Sequence, residues 1–358
     1  MTRPTFDEGR CASRDGCAKG RRGLLQAGFG TLAAWTSLSF GPRAQAAGSE
    51  PMRILCSGPA GSVPDLVART VGDQLLVTLG LRALVDNRPG AAGQISVGAL
   101  KSAPPDGSTL LLAQGAIATI YPHLYPKLAY DPVADLAPVS MASEMTLALA
   151  VGPAVPATVA SARDLLAWMR SQPQLANIGS PGTGTLPHLL EAMLMRKSGT
   201  AWQHIAYSGG PPAIVALLGG QIAALVLPEG LFSQHRAAGR LRVLATSGAQ
   251  RTALMPDVPT LAEQGFADLV VREWFAFFMS GRVPPQRVEE QSQVLRQALA
   301  QPELQTALAN AGIVAVSSTP AALVDRIAAE RRQWAPVLQT LDVQMLAAQR
   351  QQDTRAWS

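Results

Sequence analysis

The stretch "CSGPAGSVPDLVARTVGDQL", Cys56–Leu75, decides the fold. It follows an apolar strand candidate, Met52–Cys56, turns through a proline-glycine segment, and runs directly into a helix with Leu66, Val67, Val71 and Leu75 at helical spacing. The unit recurs. "RALVDNRPGAAGQISVGALKSA" (82–103) reads as strand, Asn-Arg-Pro-Gly turn and helix, and "DGSTLLLAQGAIATIYPHLY" (106–125) as a third strand ending at a glycine. Strand, helix, strand, helix, strand implies right-handed crossovers, hence an α/β fold with a mainly parallel sheet flanked by helices. Such sheets bind ligands beyond the carboxyl ends of their strands.

The opening stretch lies at such an end. Ser62-Val63-Pro64-Asp65 has capping-box spacing, with Ser62 as cap, Pro64 tolerated in the first turn and Asp65 expected to reach back to the Ser62 amide. Gly61 keeps the approach open, and the free amides and positive end of the helix dipole suit an anion such as a carboxylate. Taken alone, the loop is equally consistent with an ordinary capped helix that binds nothing.

Two further loops repeat the device. "LANIGSPGTGTLPHLLEAMLM" (175–195) passes through Gly179, Gly182 and Gly184 into a helix capped by Thr185, whose Leu186, Leu189, Leu190, Met193 and Leu194 form a core stripe. "HIAYSGGPPAIVALLGGQIAALVLPEG" (204–230) ends a strand at Ser208-Gly209-Gly210 and starts a helix on Pro211-Pro212, a favoured first-turn residue. Strand ends add Gln114, Gly115, Ser180, Tyr207, Leu227 and Pro228 to the candidate ligand-binding set. Glycine loops in both halves point to two lobes that aim helix ends at a shared cleft.

Composition agrees with an ordered globular chain and gives little support to nucleic-acid binding. Of 358 residues, 47% are apolar and 15% charged, and the net charge is +5. Residues 1–46 read as a signal peptide of the twin-arginine type: Arg21-Arg22, two leucines, a weakly apolar stretch to Phe40, and Ala44-Gln45-Ala46 as the cleavage site. Its removal leaves a net charge of only +1, which gives no basic stripe for nucleic acid. Cys11 and Cys17 leave with it, so Cys56 stands alone in an oxidising compartment without an intrachain disulfide. No nucleophile elbow, P-loop or complete dinucleotide fingerprint is present, and His123, His188, His204 and His235 lack metal-ligand spacing, so neither a cofactor nor a metal is expected.

The stretches "GPAGSVPDLVAR", "VDNRPGAAGQISV", "PPDGSTLLLA", "YPKLAYDPVADLAPVS", "HIAYSGGPPAIVALLGGQI", "AAGRLRVLATSGAQR" and "PDVPTLAEQGF", in this order, resemble the Bug-type receptors, periplasmic binding proteins of tripartite tricarboxylate transporters. The resemblance spans about Met52 to Leu341. It implies a two-lobed type II periplasmic binding protein fold with two interlobe crossings. It also implies a small carboxylate in the cleft and a monomer that delivers this ligand to integral-membrane transporter subunits. In the family, two loops hold the carboxylate through amides, hydroxyls and waters; they correspond here to Pro59, Ala60, Gly61 and Ser62, and to Thr183, Gly184 and Thr185.

The sequence departs from the family pattern at Ser62, at Leu186-Pro187, and on the strand after Gly220-Gln221, where Ala223 and Leu227 replace acidic positions. The far half of the pocket is therefore expected to be apolar and poorly suited to an amino acid, unless Glu229 faces inward. "EMTLALAVGP" (144–153) and "VVREWFAFFMSG" (270–281) are the expected crossings, with Trp274 and Phe275 as core or hinge packing. The lobes would then be 47–146 with 272–341, and 147–271, followed by a tail at 342–358. An exported enzyme acting on small carboxylic acids and a ligand-sensing receptor are the alternatives.

Overall fold

The computed structural model describes residues 51–125 and 127–341; the export segment expected at 1–46 and the tail at 342–358 lie outside the described residues. Strands β1 (Met52–Cys56), β2 (Ala83–Asn87) and β3 (Thr109–Gln114) form a parallel run in the order β2-β1-β3, linked by α1 (Val63–Leu79) and α2 (Gln94–Ser102). Two short helices, α3 (Ala116–Thr119) and α4 (Tyr121–Leu124), lead to the sixteen-residue strand β4 (Leu136–Val151). A second run follows: α5 (Ala162–Ser171), β5 (Asn177–Ser180), α6 (Leu186–Ser198), β6 (Gln203–Ala206), α7 (Gly210–Leu218), β7 (Ala224–Pro228), α8 (Ser233–Ala237) and β8 (Arg242–Thr246). Here β7, β5 and β6 are parallel neighbours. The chain ends with β9 (Arg272–Ser280), α9 (Pro285–Leu299), α10 (Pro302–Ala309), β10 (Val314–Ala315) and α11 (Pro320–Thr340).

Two strands tie the runs together. Residues Leu136–Thr146 of β4 pair antiparallel with β9, whereas Leu147–Val151 pair antiparallel with β7, and Ala148–Val151 also with β8. β9 lies between β3 and β4, antiparallel to both. The sheet is therefore mixed. Its two β-α-β runs are parallel, as the sequence pattern requires, but a strand that leaves one run and another that returns to it point in opposite directions.

The alternation of side chains across this sheet divides the core. On β3, Leu110 and Leu112 pack with Phe275, Phe277 and Met279 of β9 and the apolar faces of α1 and α9, while Leu111 and Ala113 pack with Trp274, Ala276 and Phe278 on the opposite face. A third cluster gathers α7 against Leu225, Leu227 and Phe232. Among the described residues, no helix is long and apolar enough to cross a membrane.

Candidate functional site

Helices α1, α2, α6 and α7 all start at one cleft of about 450 Å³. Ser62, Val63 and Pro64 reach it from α1, Gly93 and Gln94 from α2, Thr185 and Pro187 from α6, and Gly209 and Gly210 from α7. The local sequences explain the geometry. Proline in the first turn of α1, α6 and α7 removes a donor that has no helical partner and presets the helical φ. Gly209, at φ +110°, brings the chain into α7 through a conformation that a side chain resists. At the start of α2 the same task falls to alanines: Ala91 and Ala92 both hold positive φ, 45° and 50°. Their strain is held by Ala92 O, which accepts from Gln114 Nε2 at 2.6 Å and Tyr121 Oη at 2.8 Å.

The expected capping box takes another form. Ser62 Oγ donates to Pro59 O at 2.5 Å and makes no cap bond, while Asp65 accepts from the Gly61 amide at 2.9 Å, Arg69 Nε at 3.0 Å and Asn87 Nδ2 at 3.0 Å. Burial opposes these bonds to the Asp65 carboxylate, but together they hold it below the usual range. Thr185 likewise sits at the cap position of α6, yet its hydroxyl donates to Gly182 O at 2.7 Å. Neither hydroxyl takes up first-turn amides, so those amides stay unclaimed by the cap side chains at the positive helix ends. No lysine, arginine or histidine lines the cleft among the described residues.

Of the candidate residues, Pro59, Ser62, Gln114, Thr183, Thr185, Tyr207, Leu227 and Pro228 line the cleft. Ala60 and Gly61 are exposed at its rim. Asp65 turns back onto its own loop, because its carboxylate is consumed there. Gly115 packs under Trp274, whose carbonyl accepts its amide at 2.9 Å, and Gly184 packs against Leu124 and Tyr125. Ser180 is fully buried, within 2.7 Å of His204 Nε2. Glu229 is buried and accepts from Thr252 Oγ1 at 2.8 Å, outside the cleft lining. Its carboxyl is pushed up by burial.

The structure adds residues that sequence reasoning passed over: Ser57, Ala91, Ala92, Gln94, Tyr125, Leu231, Glu273 and Phe275. Phe275, expected as packing, is nearly buried and also forms cleft wall. Tyr125 Oη donates to Thr183 O at 2.9 Å, joining the segment after α4 to the loop before α6. The parity of β9 carried a usable signal, since Glu273 and Phe275 fall on the same face of that strand.

Ser180, His204 and Glu191 lie close enough to imitate a catalytic triad. Both Ser180 Oγ and Glu191 Oε2 approach the same ring nitrogen, at 2.7 and 3.9 Å, and all three residues are buried. A relay needs the acid and the nucleophile on opposite nitrogens and the nucleophile within reach of substrate. Burial pushes His204 down to about 2, with His188 stacked on it at 3.9 Å, and pushes His188 down to about 4, so both rings are neutral. His188 Nδ1 accepts the Gly184 amide at 3.0 Å, which makes it a support for the loop. Among the described residues, no group of three or more histidine, cysteine, aspartate or glutamate residues could hold a metal ion.

Comparison with known proteins matches residues 67–343 to the tripartite tricarboxylate transporter family receptor. A protein of Bordetella bronchiseptica is 37% identical over 62% of this chain and 65% of its own length. The protein BugT of Bordetella pertussis is 31% identical over 81% of this chain and 89% of its own. Among solved structures, the periplasmic binding protein BugD superposes with a TM-score of 0.77 at 25% identity, covering 82% of this chain and 98% of that one.

Proposed function

Since this chain belongs to the tripartite tricarboxylate transporter receptor family, as a periplasmic solute-binding receptor and not an enzyme, we propose that the cleft described above captures a small carboxylate and closes over it. One observation carries the assignment of the cleft: four helix N-termini converge on a space that, among the described residues, no cationic side chain enters. Dipole ends and backbone amides bind a carboxylate by geometry, and they release it more readily than a buried arginine pair would.

In this reading the Ser62, Thr183 and Thr185 loops hold the carboxylate, Gln114, Tyr125 and Tyr207 add polar contacts, and Leu227, Pro228, Leu231 and Phe275 take the ligand's apolar body. Lobe one comprises 47–146 and 272–341, and lobe two 147–271. The change of β4 partners after Thr146, which is itself paired with Arg272, supports that division. Two strands crossing at one level form a hinge, and the loaded, closed monomer presents its ligand to integral-membrane transporter subunits. Residues 1–46 direct export by the twin-arginine route, with cleavage near Ala46.

A thermal-shift screen of purified protein against mono-, di- and tricarboxylates tests the reading. At one hundred times its dissociation constant a ligand adds about 2.7 kcal/mol to stability, enough to be seen as a raised melting temperature. The stabilising acid is expected back unchanged after prolonged incubation. No stabilisation by any acid, or its turnover in step with the protein, would overturn the proposal.

A further inference from the structure

Among the described residues that line the cleft, Glu273 alone is an aspartate, glutamate, lysine, arginine or histidine. It is 5% exposed, sits on β9 opposite Met145 of β4, and also borders a second cavity of about 150 Å³ behind the crossing strands. Arg272, Arg326, Glu330 and Trp334 line that second cavity.

The charges around Glu273 are already matched without it. From β9, Arg272 pairs with Glu144 of β4 at 3.3 Å; from α11, Arg326 pairs with Glu144 and, at 3.0 Å, with Glu330. Glu330 also accepts from Trp274 Nε1 at 2.8 Å, and Arg326 stacks 4.9 Å from the Trp274 ring. Two arginines and two glutamates balance, so ionised Glu273 would be an uncompensated charge in a desolvated place. Tyr121 of α4, which feels the charge of Glu273, is a buried phenol, and neither it nor Tyr125 and Tyr207 of the cleft lining brings a positive charge.

Resting on the carboxylate-receptor reading, we propose that Glu273 is a specificity-determining residue: its neutral carboxyl donates a hydrogen bond to an oxygen of the bound ligand and selects dicarboxylates over acids that carry an ammonium group. A protonated carboxyl offers one O–H donor, whereas an ionised one offers only acceptors, which an ammonium would satisfy. Burial, and then the neighbouring charge of Glu330, push Glu273 up to about 8 against the opposing hydrogen bond from the Trp274 amide. The donor form therefore predominates at neutral pH.

Calorimetry with succinate, glutarate, adipate, butyrate and 4-aminobutyrate at pH 6.5 and 9.5 decides the matter. A dicarboxylate is expected to bind best at pH 6.5 and to lose about 30-fold in affinity by pH 9.5, as the donor form is depleted. In Glu273→Gln, whose amide also donates, that pH dependence should vanish. In Glu330→Gln the midpoint of the loss should move to lower pH, a shift that a merely structural role for Glu273 would not produce. Dicarboxylate binding of equal strength at both pH values overturns the role of Glu273 and leaves the receptor reading standing. So does preferred binding of 4-aminobutyrate that strengthens with pH. Failure of every mono-, di- and tricarboxylate to bind at either pH overturns both.

Discussion

Gly209 offers a direct test of closure. It follows β6, its amide donates to Pro181 O at 3.1 Å, and a Cβ built there would sit 2.5 Å from Cδ and 2.7 Å from Cγ of Pro59, which follows β1. The proline ring has no rotamer that withdraws it. Gly209→Ala therefore carries two penalties. The positive φ of 110° costs an alanine roughly 1–2 kcal/mol whether the cleft is open or closed. The overlap with Pro59 costs roughly 1–3 kcal/mol, and only while the two loops are together. The second penalty opposes ligand-driven closure, so the dissociation constant should rise about 5- to 150-fold. Gly239→Ala is the matched control: its φ is +67° and nothing lies within 4 Å of the new Cβ, so it should lower the melting temperature and leave affinity alone. Calorimetry with the best carboxylate from the screen, alongside thermal melts without ligand, separates the two effects. If Gly209→Ala binds within twofold of the wild type, contact between these loops has no part in closure.

Burial pushes the Cys56 thiol up to about 12, so native protein at pH 8 should resist alkylation and react readily once unfolded in urea; fast labelling of the folded state would contradict its burial. Glu191 has both carboxyl oxygens buried without a hydrogen-bond partner, and burial raises it well above its ordinary 4.5. Keeping it neutral costs little in acid and about 1.4 kcal/mol more for each pH unit above 4.5 while it stays protonated in the fold. Glu191→Gln should thus gain stability over the wild type from pH 5 to pH 7 in urea titrations; a gap that does not change with pH would refute this. Replacement of Arg21 and Arg22 by lysine should stop export, and undiminished mature protein outside the cytoplasm would remove the twin-arginine assignment.

The readable parts of the sequence were those fixed by local chemistry. Proline and glycine set the starts of α1, α6 and α7 by backbone constraint, and all three of these starts reach the cleft. Elsewhere several partners compete for one group. Ser62 and Asp65 have the capping-box spacing, but Pro59 O lies within reach of the hydroxyl and the Gly61 amide takes the carboxylate, so the motif closes on different atoms. The left-handed pair Ala91-Ala92 carries no glycine signal, because its stability comes from Gln114 and Tyr121, which are distant in sequence. The placing of Glu229 outside the cleft lining, and of Glu273 within it, has a similar reason. The direction of each side chain depends on how its element meets a neighbour: Thr252 draws Glu229 away, while pairing of β9 with β4 leaves Glu273 in the cleft wall.

The position of β9 also fixes an order of assembly during synthesis. A nascent chain extended as far as residue 246 already holds β5, β6, β7, β8 and the part of β4 that pairs with β7 and β8, so the second run has all its strands. The first run at that stage has β3 and the early half of β4 but not the strand that fits between them. Two hydrogen-bonding edges stay open until Arg272–Ser280 has left the ribosome and inserted antiparallel to both. Strand β3 is thus made before β5, β6, β7 and β8 but sealed after them. That interval exposes the apolar strand β3 to pairing with other chains, which makes this central insertion the step at which a holding chaperone has most to protect.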